Sequence, residues 1–162
     1  MEKIVKINIS QLTDSFRETY PHDLYKELMM KGTRPYCLVI GIRSDCYVCI
    51  PFRSNVQHNS AYLFKEFDAE KRPRPGLDYT KMILIRDLKY VQNGVIDKTE
   101  FKEIRRNREK IAKGASEYLD GYIEYIQTLL SGGKVHNRIQ RKYQYSTLKY
   151  FHEILGLPEV EN

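Results

Sequence analysis

Hydrophobic positions change their period partway along this chain. Up to about residue 98 they fall in short runs and alternations, and beyond it they recur three and four residues apart. The first pattern predicts strands and the second helices. Residues 3–8 alternate (Lys3, Ile4, Val5, Lys6, Ile7, Asn8), as an edge strand does. Ser10 can cap a short helix carrying Leu12 and Phe16, which must end near Tyr20 because Pro21 follows. Leu24, Leu28 and Met29 predict a second short helix closed by Gly32. Arg34-Pro35-Tyr36 then enters a strand over 37–42, and Arg43-Ser44-Asp45 turns it into another over 46–50.

That second strand reads as stopping at Pro51 and opening at once into Arg53, Ser54, Asn55, His58 and Asn59. Ala61-Tyr62-Leu63-Phe64 is a further apolar patch, and 68–76 a basic loop with Lys71, Arg72 and Arg74. Leu77–Lys81 leads into a strand over 82–85, and Tyr90-Val91 adds a short one before the turn at Asn93-Gly94. Thr99 is positioned to cap a long helix whose apolar face runs through Phe101, Ile104, Ile111, Tyr118, Leu119, Ile123 and Ile126, with Gly114 a point of interruption. Ser131-Gly132-Gly133 ends it. A last segment, 139–155, carries Ile139, Tyr143, Leu148, Phe151, Ile154 and Leu155 on an irregular face. The order predicts an α+β fold in one domain over 1–162: a small antiparallel barrel-like sheet, mostly within 1–98, with helices over 99–155 packed to one side.

Composition narrows the class. No apolar run approaches the ~20 residues that span a bilayer, and Met1–Lys6 alternates charge and aliphatic side chains rather than forming a signal peptide. These features predict a cytoplasmic protein with no membrane partner. Lysine and arginine number 27 against 21 acids, for a net charge of +6, and 13 tyrosines accompany them. A basic, tyrosine-rich surface suits a polyanion with stackable bases, though tyrosine is also a core and strand residue. The cysteines, Cys37, Cys46 and Cys49, are odd in number and read as reduced thiols. Cys46 and Cys49 have CxxC spacing, but no second ligand pair accompanies them and a strand points them to opposite faces. No metal or other cofactor is expected.

The polar loop is where chemistry concentrates. Arg53 suits phosphate, since a guanidinium donates paired hydrogen bonds to its oxygens. Ser54 can hold a phosphate or a hydroxyl through Oγ; it lacks the surroundings of a covalent nucleophile. His58 is the one histidine of the loop, and histidine is a residue type suited to acid–base work. Asn59 can orient His58 or a base edge, Lys65 and Lys81 can add positive charge, and Asp78 can support the site. Simpler roles stand beside these: a capping box from Ser54 to Gln57, an exposed His58, a surface ion pair for Arg53, a turn cap for Asp78 and core packing for Tyr79. Further on, Lys134, His136, Arg138, Arg141, Lys142 and Lys149 interleave with Tyr143, Tyr145 and Tyr150. That mixture fits an RNA surface or a solvated helix face. Arg43, Arg72, Arg74 and Tyr79 join Lys134, Arg138, Arg141, Lys142 and Tyr143 as candidate RNA contacts.

Arg34-Pro35-Tyr36, Pro51-Phe52-Arg53-Ser54-Asn55 with His58-Asn59, and Gly76-Leu77-Asp78-Tyr79-Thr80-Lys81, in that order, resemble the toxins of type III toxin–antitoxin systems. The resemblance is to the CptN branch, related to ToxN and AbiQ. It implies a compact barrel like that of the Kid and MazF toxins and a metal-independent endoribonuclease acting on cellular mRNA. It also implies a small structured RNA antitoxin, cut from a repeated transcript by the toxin, a higher-order toxin–RNA assembly, and a part in phage defence. The ToxN branch carries Thr-Ser-Pro-Lys at the turn, where this chain has Arg53-Ser54-Asn55-Val56. The serine carries over to Ser54; the lysine does not, so its role must fall to Arg53, Lys65 or Lys81. The residues by themselves also allow a non-catalytic nucleic-acid-binding regulator, or a barrel toxin inhibited by a protein.

Overall fold

The computed structural model describes residues 5–160. Seven strands form one antiparallel sheet: β1 (Lys6–Leu12), β2 (Tyr36–Ile40), β3 (Tyr47–Arg53), β4 (Ala61–Leu63), β5 (Gly76–Asp78), β6 (Ile83–Ile85) and β7 (Val91–Asn93). They run in the order β4-β5-β3-β2-β1-β7, with β6 also pairing β3. Five α-helices accompany them: α1 (Asp14–Thr19), α2 (Lys98–Arg106), α3 (Arg108–Leu130), α4 (Asn137–Tyr143) and α5 (His152–Leu155). The expected α+β class and antiparallel sheet are present. No strand pair closes the curl into a full barrel among the described residues.

β3 organises the sheet. It does not stop at Pro51; it continues to Arg53, so Arg53 ends a strand rather than opening a loop. Proline is tolerated there because β3 changes partners at that point. Tyr47–Cys49 pair with β6, and Phe52 and Arg53 pair with β5. Pro51 still pairs with Tyr36 of β2, and its missing N–H falls on the other side, where β6 gives way to β5. Cys37, Cys46 and Cys49 are buried free thiols, and burial drives Cys49 and Cys37 well above the ordinary thiol range.

Several local expectations give way to tertiary packing. β1 is an edge over Lys6–Asn8, which pair with β2 alone, but runs on to Leu12 with β7 on its other side from Ser10. Lys3 and Ile4 lie outside the described residues. Ser10 and Leu12 belong to β1, and α1 is preceded by Thr13. The helix expected around Leu24–Met29 is absent; the stretch runs as turns, with Leu28 and Met30 buried and Leu24 exposed. Asp97, not Thr99, caps α2, accepting a hydrogen bond from the Glu100 amide at 2.8 Å. Phe101 is exposed on that helix. The long helix breaks at Asn107, whose Nδ2 donates to the Glu103 carbonyl at 2.8 Å and so competes with the backbone ladder. Gly114 interrupts nothing; it lies within α3 where the Tyr79 ring covers the backbone and leaves no room for a Cβ.

The core lies between the sheet and α3. Ile111, Ala115, Tyr118, Leu119, Tyr122 and Ile126 form one buried stripe, at the spacing that keeps one helix face inward. A 3₁₀ turn, Thr147–Tyr150, ties the C-terminal region to the sheet. Its buried Thr147 hydroxyl donates to the Met82 carbonyl at 2.7 Å.

Candidate functional site

The site begins with a buried carboxylate. Asp78 ends β5 with no exposed surface and caps the 3₁₀ turn Tyr79–Lys81. Four donors meet it: Arg53 Nη1 at 2.9 Å, His58 Nε2 at 3.1 Å, Thr80 N at 2.9 Å and Thr80 Oγ1 at 2.6 Å. Burial alone would raise its pKa. The hydrogen bonds from His58, Thr80 and Arg53 outweigh burial and pull it down to about 2. Strand pairing makes this meeting possible, because β5 places Gly76 opposite Arg53 and Ala61 opposite Asp78.

His58 is held from both sides. Nδ1 accepts from the Ser60 amide at 3.1 Å, which places the ring proton on Nε2, facing Asp78. Both ring nitrogens are thus engaged, one by the Ser60 amide and one by Asp78. Lys81 ends the same 3₁₀ turn, half-buried; burial pushes its pKa down, against the upward pull of Asp78. Arg53, Glu27 and Lys149 are also close enough to influence it. Glu27 accepts from Lys149 Nζ at 3.1 Å and from the Tyr150 hydroxyl, which with Lys149 lowers its carboxyl to about 2 against the cost of burial. Thr80 belongs to the Gly76–Lys81 motif, whereas Glu27 belongs to none and only its place in the fold brings it here.

Arg53 and Ser54 open onto a groove of about 510 Å³, also lined by Lys31, Arg34 and Arg72. Ser54 is exposed and starts no helix, so the capping-box reading does not hold. Its carbonyl accepts from the Arg74 amide at 3.1 Å, while its Oγ has no partner among the described residues. Val56, two positions beyond Ser54, is fully buried.

Other expected residues lie elsewhere or are already engaged. Arg74 braces the loop, donating to the Val56 carbonyl at 2.6 Å, the His58 carbonyl at 2.8 Å and Asn59 Oδ1 at 3.0 Å. Asn59 is thus bound to Arg74 rather than orienting His58, and Arg74 is no free phosphate contact. Arg72 faces the groove but is paired to Glu100 at 2.6 Å and Asp97 at 3.3 Å. Lys65 stands past the end of β4 remote from Asp78, where its amide caps Glu103 at 3.0 Å. Arg43 belongs to the hairpin at the opposite end of β3 and pairs with Asp45 at 3.2 Å. Tyr79 and Tyr143 are buried and cannot stack on RNA: Tyr79 donates to the Ile111 carbonyl at 3.0 Å, and Tyr143 packs over Gly121. Lys134, Arg138, Arg141 and Lys142 are exposed on and before α4, with no ion-pair partner among the described residues; Tyr145 is exposed beside them.

No family model matches this sequence, and no curated protein matches it. Among solved structures, one similar chain comes from work described as "New insights into the mechanism of bacterial Type III toxin-antitoxin systems: selective toxin inhibition by a non-coding RNA pseudoknot". The alignment covers 93% of this chain and 98% of that one, with a TM-score of 0.61 and 14% identity. The likeness is one of fold. No described helix is long and apolar enough to cross a membrane.

Proposed function

We propose that this chain is the toxin of a type III system, a metal-independent endoribonuclease restrained by a small structured RNA. The observation that carries this reading is the convergence of Arg53 and His58 on buried Asp78, with Lys81 ending the turn that Asp78 caps and the Ser54 hydroxyl on the groove. The fold's likeness to a type III toxin–antitoxin structure supports it. The three sequence motifs favour the CptN branch.

RNA brings its own nucleophile, the 2′-hydroxyl beside the scissile phosphate. Arg53, its Nη1 held by Asp78, directs its remaining N–H groups at the phosphate and stabilises the crowded anionic transition state. Ser54 Oγ holds a phosphate oxygen or the 2′-hydroxyl. Lys81, at the end of the turn that Asp78 caps, supplies positive charge beside Arg53. The products are a 2′,3′-cyclic phosphate and a 5′-hydroxyl end. An antitoxin RNA that is itself a cleavage product occupies the same groove, and repeated copies favour a higher-order assembly.

Purified wild type, Arg53→Ala and Ser54→Ala are to be assayed on single-stranded RNA in EDTA, with end-group analysis. Loss of one transition-state donor is expected to slow cleavage by about 10²–10³. Full cleavage by both variants overturns the site; loss of wild-type cleavage in EDTA overturns the metal-free route.

A further inference from the structure

Beside the Arg53–Ser54 groove lies a second cavity of different character. It measures about 480 Å³, with Leu28, Met29 and Met30 as its apolar floor and His22, Lys31 and Arg34 on its rim. Lys31 and Arg34 line both spaces, so the two are adjacent. The cavity exists because this stretch forms turns instead of a helix, which exposes one side of Met29 while Leu28 and Met30 stay buried.

Its walls are held in place. Arg17 Nε donates to the Met30 carbonyl at 3.0 Å, and Nη2 to the Gly32 carbonyl at 2.8 Å. The Tyr36 hydroxyl donates to the Met29 carbonyl. Arg34 links the cavity to the site: its Nη1 donates at 2.9 Å to the carbonyl of Phe52, the residue before Arg53. Its Nε is buried with no partner among the described residues. An apolar floor with a few cations converging on it, within the size range of small-ligand sites, is built for a flat, weakly polar group attached to an anion.

We infer that this cavity receives an unstacked nucleobase of single-stranded RNA, from a nucleotide next to the phosphate at Arg53 and Ser54. The inference rests on the RNA reading above and adds a sequence-selecting subsite to it. Splayed bases are recognised by apolar contact and by stacking on guanidinium planes, and methionine adapts to a flat ring better than a branched side chain. Arg34 would present its guanidinium to the base or its phosphate, and Lys31 would neutralise the backbone where it passes between the two spaces.

The test uses Met29→Trp, which fills the cavity, Met29→Leu, which keeps it apolar and open, and His22→Trp, which closes its exposed rim should Met29→Trp not fold. Cut sites in a pool of random single-stranded RNA are mapped by sequencing the ends. The discriminating readout is the ratio of cleavage at the sites wild type prefers to cleavage elsewhere. A filled cavity is expected to lower that ratio by about tenfold or more, the effect of losing one base contact, and Met29→Leu to preserve it. A folded filled variant with an unchanged ratio overturns the subsite while leaving the ribonuclease reading intact. In parallel, RNA oligonucleotides carrying 2-aminopurine at successive positions are titrated with each protein. A fluorescence change at one position with wild type, absent with the filled variant, supports the subsite even in a protein that does not cleave. An identical change in both overturns it, and failure of wild type to bind RNA overturns both readings.

Discussion

Asp78 shows how one residue can bind a site together. Its carboxylate has no exposed surface, yet its pKa falls to about 2 because donors surround it. The unfolded-state value is 3.8, so the folded value lies below it. The resulting stability is therefore complete above about pH 4 and drains away as pH falls towards about 2, a loss on the order of 2 kcal/mol. Thermal melts of wild type across that window are expected to show the decline, and Asp78→Asn to show a flatter profile. At neutral pH, Asp78→Asn is expected to cost on the order of 3 kcal/mol, since it leaves Arg53 and His58 facing an amide. Cleavage should fall with it, as Arg53 loses its alignment. A variant with wild-type stability and the wild-type acid profile would remove Asp78 from this role.

Among the elements, α3 and the Tyr79–Lys81 turn are matched at Gly114. The Tyr79 ring lies where a Cβ would stand: its Cζ comes to 2.8 Å and its Cε2 to 2.9 Å of that position, with the hydroxyl nearer still. Alanine is the better helix former by about 1 kcal/mol. Gly114→Ala is nonetheless expected to lower stability by about 1–3 kcal/mol, because overpacking displaces Tyr79. Tyr79 immediately follows Asp78 and begins the turn that ends at Lys81, so cleavage should fall more than stability accounts for. Denaturant melts with parallel rate measurements check this; a stabilised, fully active variant would refute it.

For the molecule as a whole, net charge of +6 matters less than which cations are unpaired. Arg43, Arg72, Arg74 and Lys149 have partners within the fold. Lys134, Arg138, Arg141 and Lys142 have none among the described residues and form a cationic surface of the kind that attracts a polyanion at long range. Arg138→Ala/Arg141→Ala is expected to weaken binding without changing the rate at saturating RNA. The slope of log affinity against log salt should drop by about 0.7 for each lost phosphate contact. An unchanged slope would make that helix a solvated face.

The local pattern of the sequence alone determined the α+β class, the strands through Cys37 and Val48, the β2–β3 hairpin and the buried stripe of α3. These depend on periodicity and turn chemistry within a few residues. It also marked Arg53 and Ser54 as candidates, because a cation and a hydroxyl close an apolar run there. Tertiary structure decided which charged groups meet. Arg53 and Asp78 are 25 positions apart and come together only through β3–β5 pairing. The same packing buried Tyr79 and Tyr143, engaged Arg74 and Asn59 with each other, carried Pro51 inside a strand and opened the cavity at Met29. Charge partners and burial depend on contacts distant in sequence, and no local period encodes them.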